Sequence, residues 1–308
     1  KYSQDVSQCY GLHFYNMQTG QYDQQLCEDF GLSLDQFPQI FNCDEIVGNV
    51  TPAAAAASGL PEGVPVVAGG LDAACGALGV GVIDDGQTQE QGGQAGGMSV
   101  CLDSYHADER LILSRHVIGN KWLLQGGTVG GAGVARWFLH TLGQAESDAA
   151  AINGSNAYHE MDITARDTPV GANGLFFLPY MAGERSPIWN PNAKGVYYGL
   201  DFSKTRGEII RASYEGVAYS LEHSLKVAES AGVVVKDLYA MGGAANSTFW
   251  MQIKADITQR TIQIPASDNA KTLGAAMLAG VATGMYANYH DAVAALITTA
   301  AKWLIVGP

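Results

Sequence analysis

The sequence predicts an α/β fold, and three observations support that class. Short apolar segments run into glycine-containing turns, and helix-like segments follow, at residues 66–78, 122–142 and 238–258. This strand, turn and helix order is typical of α/β proteins, which place reactive groups where strands end. The 38 glycines fit many tight turns. With 308 residues, 47% hydrophobic and 15% charged, the chain can form a sizeable core in two domains.

The first of these turns carries a single carboxylate. An apolar run at residues 66–68 leads through Gly69 and Gly70 to Asp72, at the start of a helical segment rich in alanine and glycine. An acid held at the end of a strand is suited to accept a hydroxyl proton as a general base. A helix-capping role explains the same residue equally well. Both interpretations stay open at this level.

The other elements are predicted from local signals. Thr51 and Pro52 predict the start of a helix that ends at Gly59 and packs closely through its alanines. An amphipathic pattern predicts a long helix over residues 205–231. The glycines of residues 86–97 are expected to precede a strand. Strands are expected at residues 98–102, 175–180, 233–240 and 261–265, and helices near 23–30, 134–142, 273–284 and 292–306, the last in the core rather than in a membrane.

Charge and composition exclude several classes of partner. The net charge is −13 and no Lys/Arg cluster occurs, which argues against binding to nucleic acid or an anionic membrane. No apolar run reaches transmembrane length and no signal peptide is recognised. The five cysteines have neither zinc-like nor redox spacing, which predicts reduced thiols in a cytoplasmic protein.

The glycine turns suit a phosphate-containing ligand, because backbone amides at the start of a helix bind phosphate without a cationic side chain. No Walker A or GxGxxG pattern is present, which disfavours P-loop enzymes and dinucleotide dehydrogenases. The histidines show no metal-ligand spacing. Glu184 and Arg185 are explained either by a structural ion pair or by a substrate clamp, and both remain open.

Several segments, in the same order as in the family, resemble the FGGY carbohydrate kinases. Residues 195–200 followed by 208–215 resemble the second signature of that family, and residues 179–195 resemble its xylulokinase branch. Residues 241–256 resemble the adenosine motif, and residues 66–81 match the place of the catalytic aspartate. The resemblance extends from about residue 8 to about residue 286.

The resemblance implies the actin-like ATPase or ribonuclease-H-like fold, a mixed sheet flanked by helices, with ligands in a cleft between two domains. Residues 1–68 would be the C-terminal remnant of the N-terminal, sugar-binding domain, and residues 69–308 the C-terminal, nucleotide-binding domain. The family's N-terminal phosphate loop is missing from the chain. The sequence is therefore expected to be a fragment that is inactive alone.

The implied activity is transfer of the ATP γ-phosphate to a sugar hydroxyl, with a ketopentose such as xylulose as the expected substrate, Mg²⁺ as cofactor and a homodimer as a possible assembly. Asp72 would be the general base, and the protein would act mainly by positioning and charge stabilisation. No protein ligand to a metal is assigned. The resemblance places cofactor contacts at Gly93, Gln94, Gly96, Gly133, Trp137, Gly242, Gly243 and Ser247.

Two departures from the family pattern affect these expectations. The family's phosphate turn reads Gly-Thr-Ser-Gly or Gly-Thr-Gly, whereas this chain has Gly93-Gln94-Ala95-Gly96, so an amide replaces a hydroxyl. This replacement favours the alternative of a non-catalytic module that senses a nucleotide or a sugar. Glycerol kinases carry Gln after the catalytic Asp, and Ala73 at this position disfavours glycerol as the substrate.

Overall fold

The computed structural model describes residues 2–266 and 269–303. Its strands are β1 Ser3–Asp5, β2 Tyr15–Asn16, β3 Gln21–Tyr22, β4 Gln39–Phe41, β5 Ile46–Asn49, β6 Pro65–Val67, β7 Thr88–Gly92, β8 Gly96–Leu102, β9 Ile112–Arg115, β10 Trp122–Thr128, β11 Phe176–Leu178, β12 Val196–Tyr198, β13 Leu238–Met241, β14 Ile262–Pro265 and β15 Thr299–Trp303. Its helices are α1 Gln24–Asp29, α2 Pro52–Ser58, α3 Asp72–Gly79, α4 Gly133–Thr141, α5 Gln144–Asn153, α6 Ala157–Arg166, α7 Arg206–Ser230, α8 Thr248–Thr258, α9 Ala270–Ala282 and α10 Tyr289–Leu296.

A seven-stranded mixed sheet in the order β15-β14-β13-β7-β8-β10-β9 organises the molecule. Strand β13 runs parallel to both β14 and β7, and the other neighbours in the sheet are antiparallel. The α/β class and the mixed sheet predicted from the sequence are confirmed.

Helices cover both faces of this sheet, and the side chains of its central strands alternate between the two sides. In β10, Trp122 and Leu124 pack into a core formed with α4, α7 and α8, whereas Leu123 packs on the opposite side. Strand β8 alternates in the same way, with Val100 on the first side and Cys101 on the second. This period of two is the pleat of a strand buried on both faces.

Helix α7 is the longest helix of the described residues and confirms the prediction for residues 205–231. It begins with a capping box, in which the main-chain N–H of Thr205 donates to the Glu208 carboxylate, at 2.6 Å. Most of its length is buried between β8, β10 and β11 on one side and α6 and α8 on the other. Within residues 2–266 and 269–303, no helix combines the length and hydropathy needed to span a bilayer.

Helices α3 and α9 pack backbone to backbone on the other side of the sheet. A Cβ at Gly79 would overlap the carbonyl oxygen of Ala270, and one at Gly274 would overlap the carbonyl oxygen of Cys75. Only glycine permits this approach. The expectation that the small-residue helix at 273–284 lies very close to a neighbour is therefore confirmed.

The strand expected at residues 98–102 has a partner that the sequence did not reveal. Residues 86–97 do not simply precede a strand, as expected, because β7 and β8 form an antiparallel hairpin whose tip is at residues 93–95. The β7 sequence, Thr-Gln-Glu-Gln-Gly, carries no apolar pattern, although most of it is buried. Because its side chains are polar, this central strand of the sheet could not be recognised from an apolar pattern.

Three further expectations need correction. The strand predicted at 233–240 is confined to Leu238–Met241. The helix predicted at 292–306 ends at Leu296 and is followed by β15, while residues 304–306 lie outside the described residues. The α2 helix has the predicted cap, since Ala54 N–H donates to the Thr51 hydroxyl at 3.2 Å, but none of its residues is buried. Its alanines do not pack closely.

Candidate active site

The tip of the β7–β8 hairpin lies between two cavities. Gly92, Gly93 and Gln94 line the first, which has a volume of about 490 Å³. Ala95 and Gly96 line the second, which has a volume of about 190 Å³. The hairpin tip therefore contributes to the walls of both cavities.

The hairpin tip is fixed to the second glycine turn by main-chain hydrogen bonds. The N–H of Ala132 donates to the carbonyl of Gly93 at 2.8 Å, and that of Gly133 donates to the carbonyl of Gln94 at 3.1 Å. A Cβ at Gly133 would overlap the Gln94 side chain, so glycine is required here. Both turns line the first cavity, and the start of α4 lies behind it. This arrangement suits a phosphate.

The opposite wall of the first cavity is formed by the start of α8 together with α6. The Ser247 hydroxyl accepts from the N–H of Trp250 at 3.0 Å, which caps α8, and donates to the buried carboxylate of Asp162 at 2.8 Å. The other oxygen of Asp162 accepts from the Tyr214 hydroxyl at 3.0 Å. Burial raises the pKa of Asp162, and these two hydrogen bonds oppose the rise. Ser247 thus links the cavity wall to the core.

Aromatic rings and a buried ion pair support this wall. The rings of Tyr214 and Trp250 are stacked, with centroids 4.2 Å apart, and both residues line the cavity. Lys254 Nζ lies 5.1 Å from the centre of the Trp250 ring and 2.6 Å from Glu90 Oε1. Both charged side chains are almost completely buried. The pair joins α8 to β7, the strand that leads to the hairpin tip.

Asp72 lies in the second cavity, and its carboxylate is exposed. It is the first helical residue of α3, whose N-cap is Leu71, and no side chain makes the capping hydrogen bond. The helix-capping interpretation of Asp72 is therefore wrong. Its carboxylate forms an ion pair with Lys271 of α9 that is open to solvent on both sides. Such exposed pairs are weak, so the lysine does not block access to the Asp72 carboxylate.

The N-terminal segment fixes the backbone just before Asp72. The N–H of Leu71 donates to the Ser7 hydroxyl at 2.7 Å, and that hydroxyl donates to the buried carboxylate of Asp5. Strand β1, which ends at Asp5, pairs with β4. A Cβ at Gly70 would overlap the Val117 side chain, so this position favours glycine. The position of the Asp72 carboxylate is consequently determined both by the N-terminal residues Asp5 and Ser7 and by the turn just before Asp72.

The structure brings most, but not all, of the predicted site residues together. Gly93, Gln94, Gly133, Gly243 and Ser247 line the first cavity, while Asp72 and Gly96 line the second. Gly242 lies beside the hairpin, since a Cβ there would be 2.8 Å from the carbonyl oxygen of Gly92. Trp137, a residue of α4, packs against the core and does not line either cavity.

Several lining residues were not identified from the sequence. Residues 144–173 showed no regular pattern, yet α6 and the turn before it contribute to the first cavity. Tyr214 lies in the segment that resembles the family signature, but nothing in the sequence predicted that its ring reaches the cavity. The residues missed in the first cavity include Arg136, Asn156, Tyr158, His159, Asp162 and Tyr214.

The donors present fit a magnesium ion that is carried mainly by nucleotide phosphates. Among the described residues, no group of three or more His, Cys, Asp or Glu side chains is arranged to hold a metal. Mg²⁺ commonly keeps several waters and binds one or two carboxylates together with substrate phosphates. The exposed carboxylate of Asp72, in the cavity beside the hairpin tip, is a donor of this kind.

Comparison with known proteins identifies the family. The model of the C-terminal domain of the FGGY family of carbohydrate kinases matches residues 111–283, and that of the N-terminal domain matches residues 1–79. The chain belongs to the FGGY family of carbohydrate kinases. Its predicted resemblance to this family is confirmed, whereas the domain boundary expected at residue 68 stays a prediction.

Individual FGGY relatives are similar over most of the chain. A xylulose kinase of Staphylococcus epidermidis is 33% identical over 268 residues, which are 85% of this chain and 51% of the relative. A gluconokinase of Bacillus licheniformis is 31% identical over 286 residues, 92% of this chain and 56% of the relative. The chain thus spans little more than half the length of these relatives.

The structural comparison confirms the actin-like, ribonuclease-H-like fold. The crystal structure of a xylulose kinase from Rhodospirillum rubrum superposes with a TM-score of 0.86 at 30% sequence identity. The match covers 98% of this chain and 59% of the crystallised chain.

Proposed function

We propose that this chain is part of an ATP-dependent sugar kinase that transfers the γ-phosphate of ATP to a hydroxyl of a ketopentose such as xylulose. The observation that supports this most directly is the hairpin tip, which lines both a cavity formed by two glycine turns and the cavity that contains Asp72. The names of the relatives support a small sugar or sugar acid as the acceptor.

In this proposal, ATP occupies the first cavity with its phosphates at Gly93 and Gly133 and its adenosine towards Gly243 and Ser247. The acceptor hydroxyl lies in the second cavity. Its proton passes to the Asp72 carboxylate while its oxygen bonds to the γ-phosphorus, and the bond from that phosphorus to the β–γ bridging oxygen breaks to leave ADP. Mg²⁺, when bound, would neutralise phosphate charge beside the hairpin tip.

Gln94 favours a second candidate, a module that binds a nucleotide or a sugar without catalysis. The side chain of Gln94 is exposed at the hairpin tip, where the family has a hydroxyl. A sensor, however, has no need of a carboxylate at Asp72. We also expect a homodimer, which light scattering on the purified protein tests, and a cytoplasmic location, which cell fractionation tests.

The test uses the complete gene product that contains this chain. ADP release with Mg-ATP is measured across D-xylulose, other ketopentoses, polyols and aldonic acids. The Asp72→Asn variant should lose activity by roughly 1,000-fold, the scale of a missing general base, and should keep its affinity for ATP. Asp35→Asn is the matched control, because Asp35 is exposed and lines neither cavity.

One result would count against the role of Asp72, and another against the kinase. Activity that persists in Asp72→Asn would show that another group accepts the proton. A wild-type protein that binds ATP but releases ADP with none of these acceptors would favour the sensor.

A further inference from the structure

The loop Gly183-Glu184-Arg185-Ser186-Pro187 does not contain the ion pair that its sequence suggested. Glu184 is buried, and its carboxylate accepts from the Thr128 hydroxyl at 2.6 Å, the N–H of Val129 at 3.0 Å and the main-chain N–H of Arg185 at 2.7 Å. The guanidinium of Arg185 makes no hydrogen bond or ion pair with any residue in the ranges 2–266 and 269–303. The Glu184 carboxylate and the Arg185 guanidinium therefore do not pair with each other.

The residues on either side of Arg185 are fixed to the end of β10. Glu184 binds Thr128 and Val129 as described, and the Ser186 hydroxyl accepts from the N–H of Gly127 at 2.7 Å. Glu184 and Ser186 are both buried, at 4% and 1% exposure, whereas Arg185 between them is exposed. A buried carboxylate and a buried hydroxyl therefore hold the backbone that presents one unpaired guanidinium.

That guanidinium lies in the cavity of Asp72. Arg185 lines the second cavity together with Asp72, Ala95 and Gly96, and it lies along Gly127, where a Cβ would be 3.5 Å from its Nη2. Among the described residues lining this cavity, Arg185 carries the one positive charge. Arg185 thus places a positive charge in this cavity, within a molecule whose net charge is −13.

We propose that Arg185 binds the oxygens of the phosphoryl group as it passes from ATP to the acceptor. This inference rests on the proposed kinase function and assigns to the second cavity a charge that the glycine turns do not provide. A guanidinium offers a planar fork of N–H donors that matches two oxygens of a phosphoryl group. Because its backbone is already held by Glu184 and Ser186, little reorganisation is needed when charge develops.

The test compares Arg185→Gln and Arg185→Lys with the wild type of the complete gene product. We expect kcat to fall roughly 100-fold in Arg185→Gln for every acceptor, with little change in acceptor KM, because the lost contact is to the phosphoryl group. Arg185→Lys should recover only part of the rate, since it restores the charge without the fork. Lys194→Gln, which removes an exposed cation that lines neither cavity, is the matched control.

A binding measurement separates this inference from the kinase proposal. Beryllium fluoride with ADP imitates a bound γ-phosphate and needs no acceptor. Wild type should bind ADP more tightly with beryllium fluoride than without it. In Arg185→Gln this increase in ADP affinity should be at least tenfold smaller, while the affinity for ADP alone is unchanged. Equal gains in the two proteins would overturn the inference, whether or not the wild type turns over.

The choice of acceptor distinguishes a phosphoryl contact from a carboxylate contact. A defect confined to the KM of aldonic acids, with D-xylulose unaffected, would mean that Arg185 binds the acceptor's carboxylate and would overturn the proposal. Circular dichroism and thermal unfolding of both variants confirm that the comparison is made between folded proteins.

Discussion

At the scale of single residues, His116 shows how burial determines a protonation state. The imidazole is fully buried, its Nε2–H donates to the carbonyl of Val82 at 3.0 Å, and its Nδ1 accepts from the N–H of Ile118 at 3.1 Å. Burial lowers the pKa of His116 to about 4. A second proton would have to be placed on Nδ1, where the N–H of Ile118 already points.

This arrangement predicts a loss of stability in mild acid. The folded pKa is about 4 and the ordinary value is 6.5, so between these values the unfolded chain binds more protons. The free energy of unfolding should therefore fall as the pH is lowered from about 6.5 towards 4, by roughly 3 kcal/mol over the full range. Urea unfolding at several pH values measures the slope.

His116→Gln is the comparison, because it removes the titrating group. Its unfolding free energy should vary less with pH across that window than the wild-type value. Hydrogen bonds lower the pKa values of the Asp108 and Glu208 carboxyl groups to about 2. These two groups therefore affect stability mainly below pH 4.5. Identical slopes for the two proteins would contradict the assignment to His116.

Sequence reasoning at this scale identified types of residue better than their partners. Asp72 was located by the strand and glycines before it, which are local signals. The pairing of Arg185 was left open, because an adjacent glutamate and arginine look like an ion pair in any sequence. Only the folded chain shows that the Glu184 carboxylate accepts hydrogen bonds from Thr128 and Val129, which are 56 and 55 positions away.

At the scale of elements, capping chemistry predicted helices well, and apolar pattern predicted strands less well. The start of α2 was predicted from Thr51 and Pro52, and the long helix α7 was predicted within one residue at each end from its amphipathic pattern. Strand β7 was missed because its side chains are Thr, Gln and Glu, which are buried by neighbours distant in sequence. Polar residues in a central strand carry no period that a sequence pattern can reveal.

The contact between α3 and α9 gives a prediction at this scale. Gly274→Ala places a Cβ against the carbonyl of Cys75, on the helix that begins with Asp72. The helices must separate, and we expect a loss of roughly 2–3 kcal/mol in the free energy of unfolding. Urea denaturation measures it, with Gly119→Ala as control because nothing lies within 4 Å of a Cβ there.

An alanine at position 274 that is as stable as the control would show that the helices can move apart without cost. In the complete gene product, the separation should also displace Asp72 and lower kcat, while affinity for ATP is retained.

At the scale of the whole molecule, all five cysteines are free and buried. Burial raises the pKa of Cys9, Cys43 and Cys101 to about 12 and that of Cys75 to about 11. Cys9, Cys27 and Cys43 lie in the first fifty residues, whereas Cys75 is in α3 and Cys101 is in strand β8 of the main sheet. The reactivity of these thiols therefore shows whether the first fifty residues and the region of the main sheet are folded.

We therefore predict that these thiols do not react with Ellman's reagent at pH 8 in native protein, because thiolate is the reactive form and access is closed. All five should react in urea. Following reaction against urea concentration, with circular dichroism as the parallel probe, tests whether the two regions unfold together. Rapid labelling of Cys9 or Cys43 without urea would show that the first fifty residues open separately.

The overall architecture was predictable because several family segments occur in one order along the chain. The two cavities were not, since each is lined by residues from several elements and the hairpin between them was only half recognised. The placement of Trp137 against the core illustrates the same limit. A family resemblance identifies which position in the sequence corresponds to a functional residue. Whether the side chain at that position faces a cavity or the core is determined by packing.

The ion pair between Glu90 and Lys254 has a consequence for how this fold is selected. The two residues are 164 positions apart, and each is nearly inaccessible to water. A compact state in which β7 and α8 are not neighbours would bury one charge without the other, at a cost of several kcal/mol. The pair therefore discriminates against wrongly assembled chains more than it strengthens the correct one.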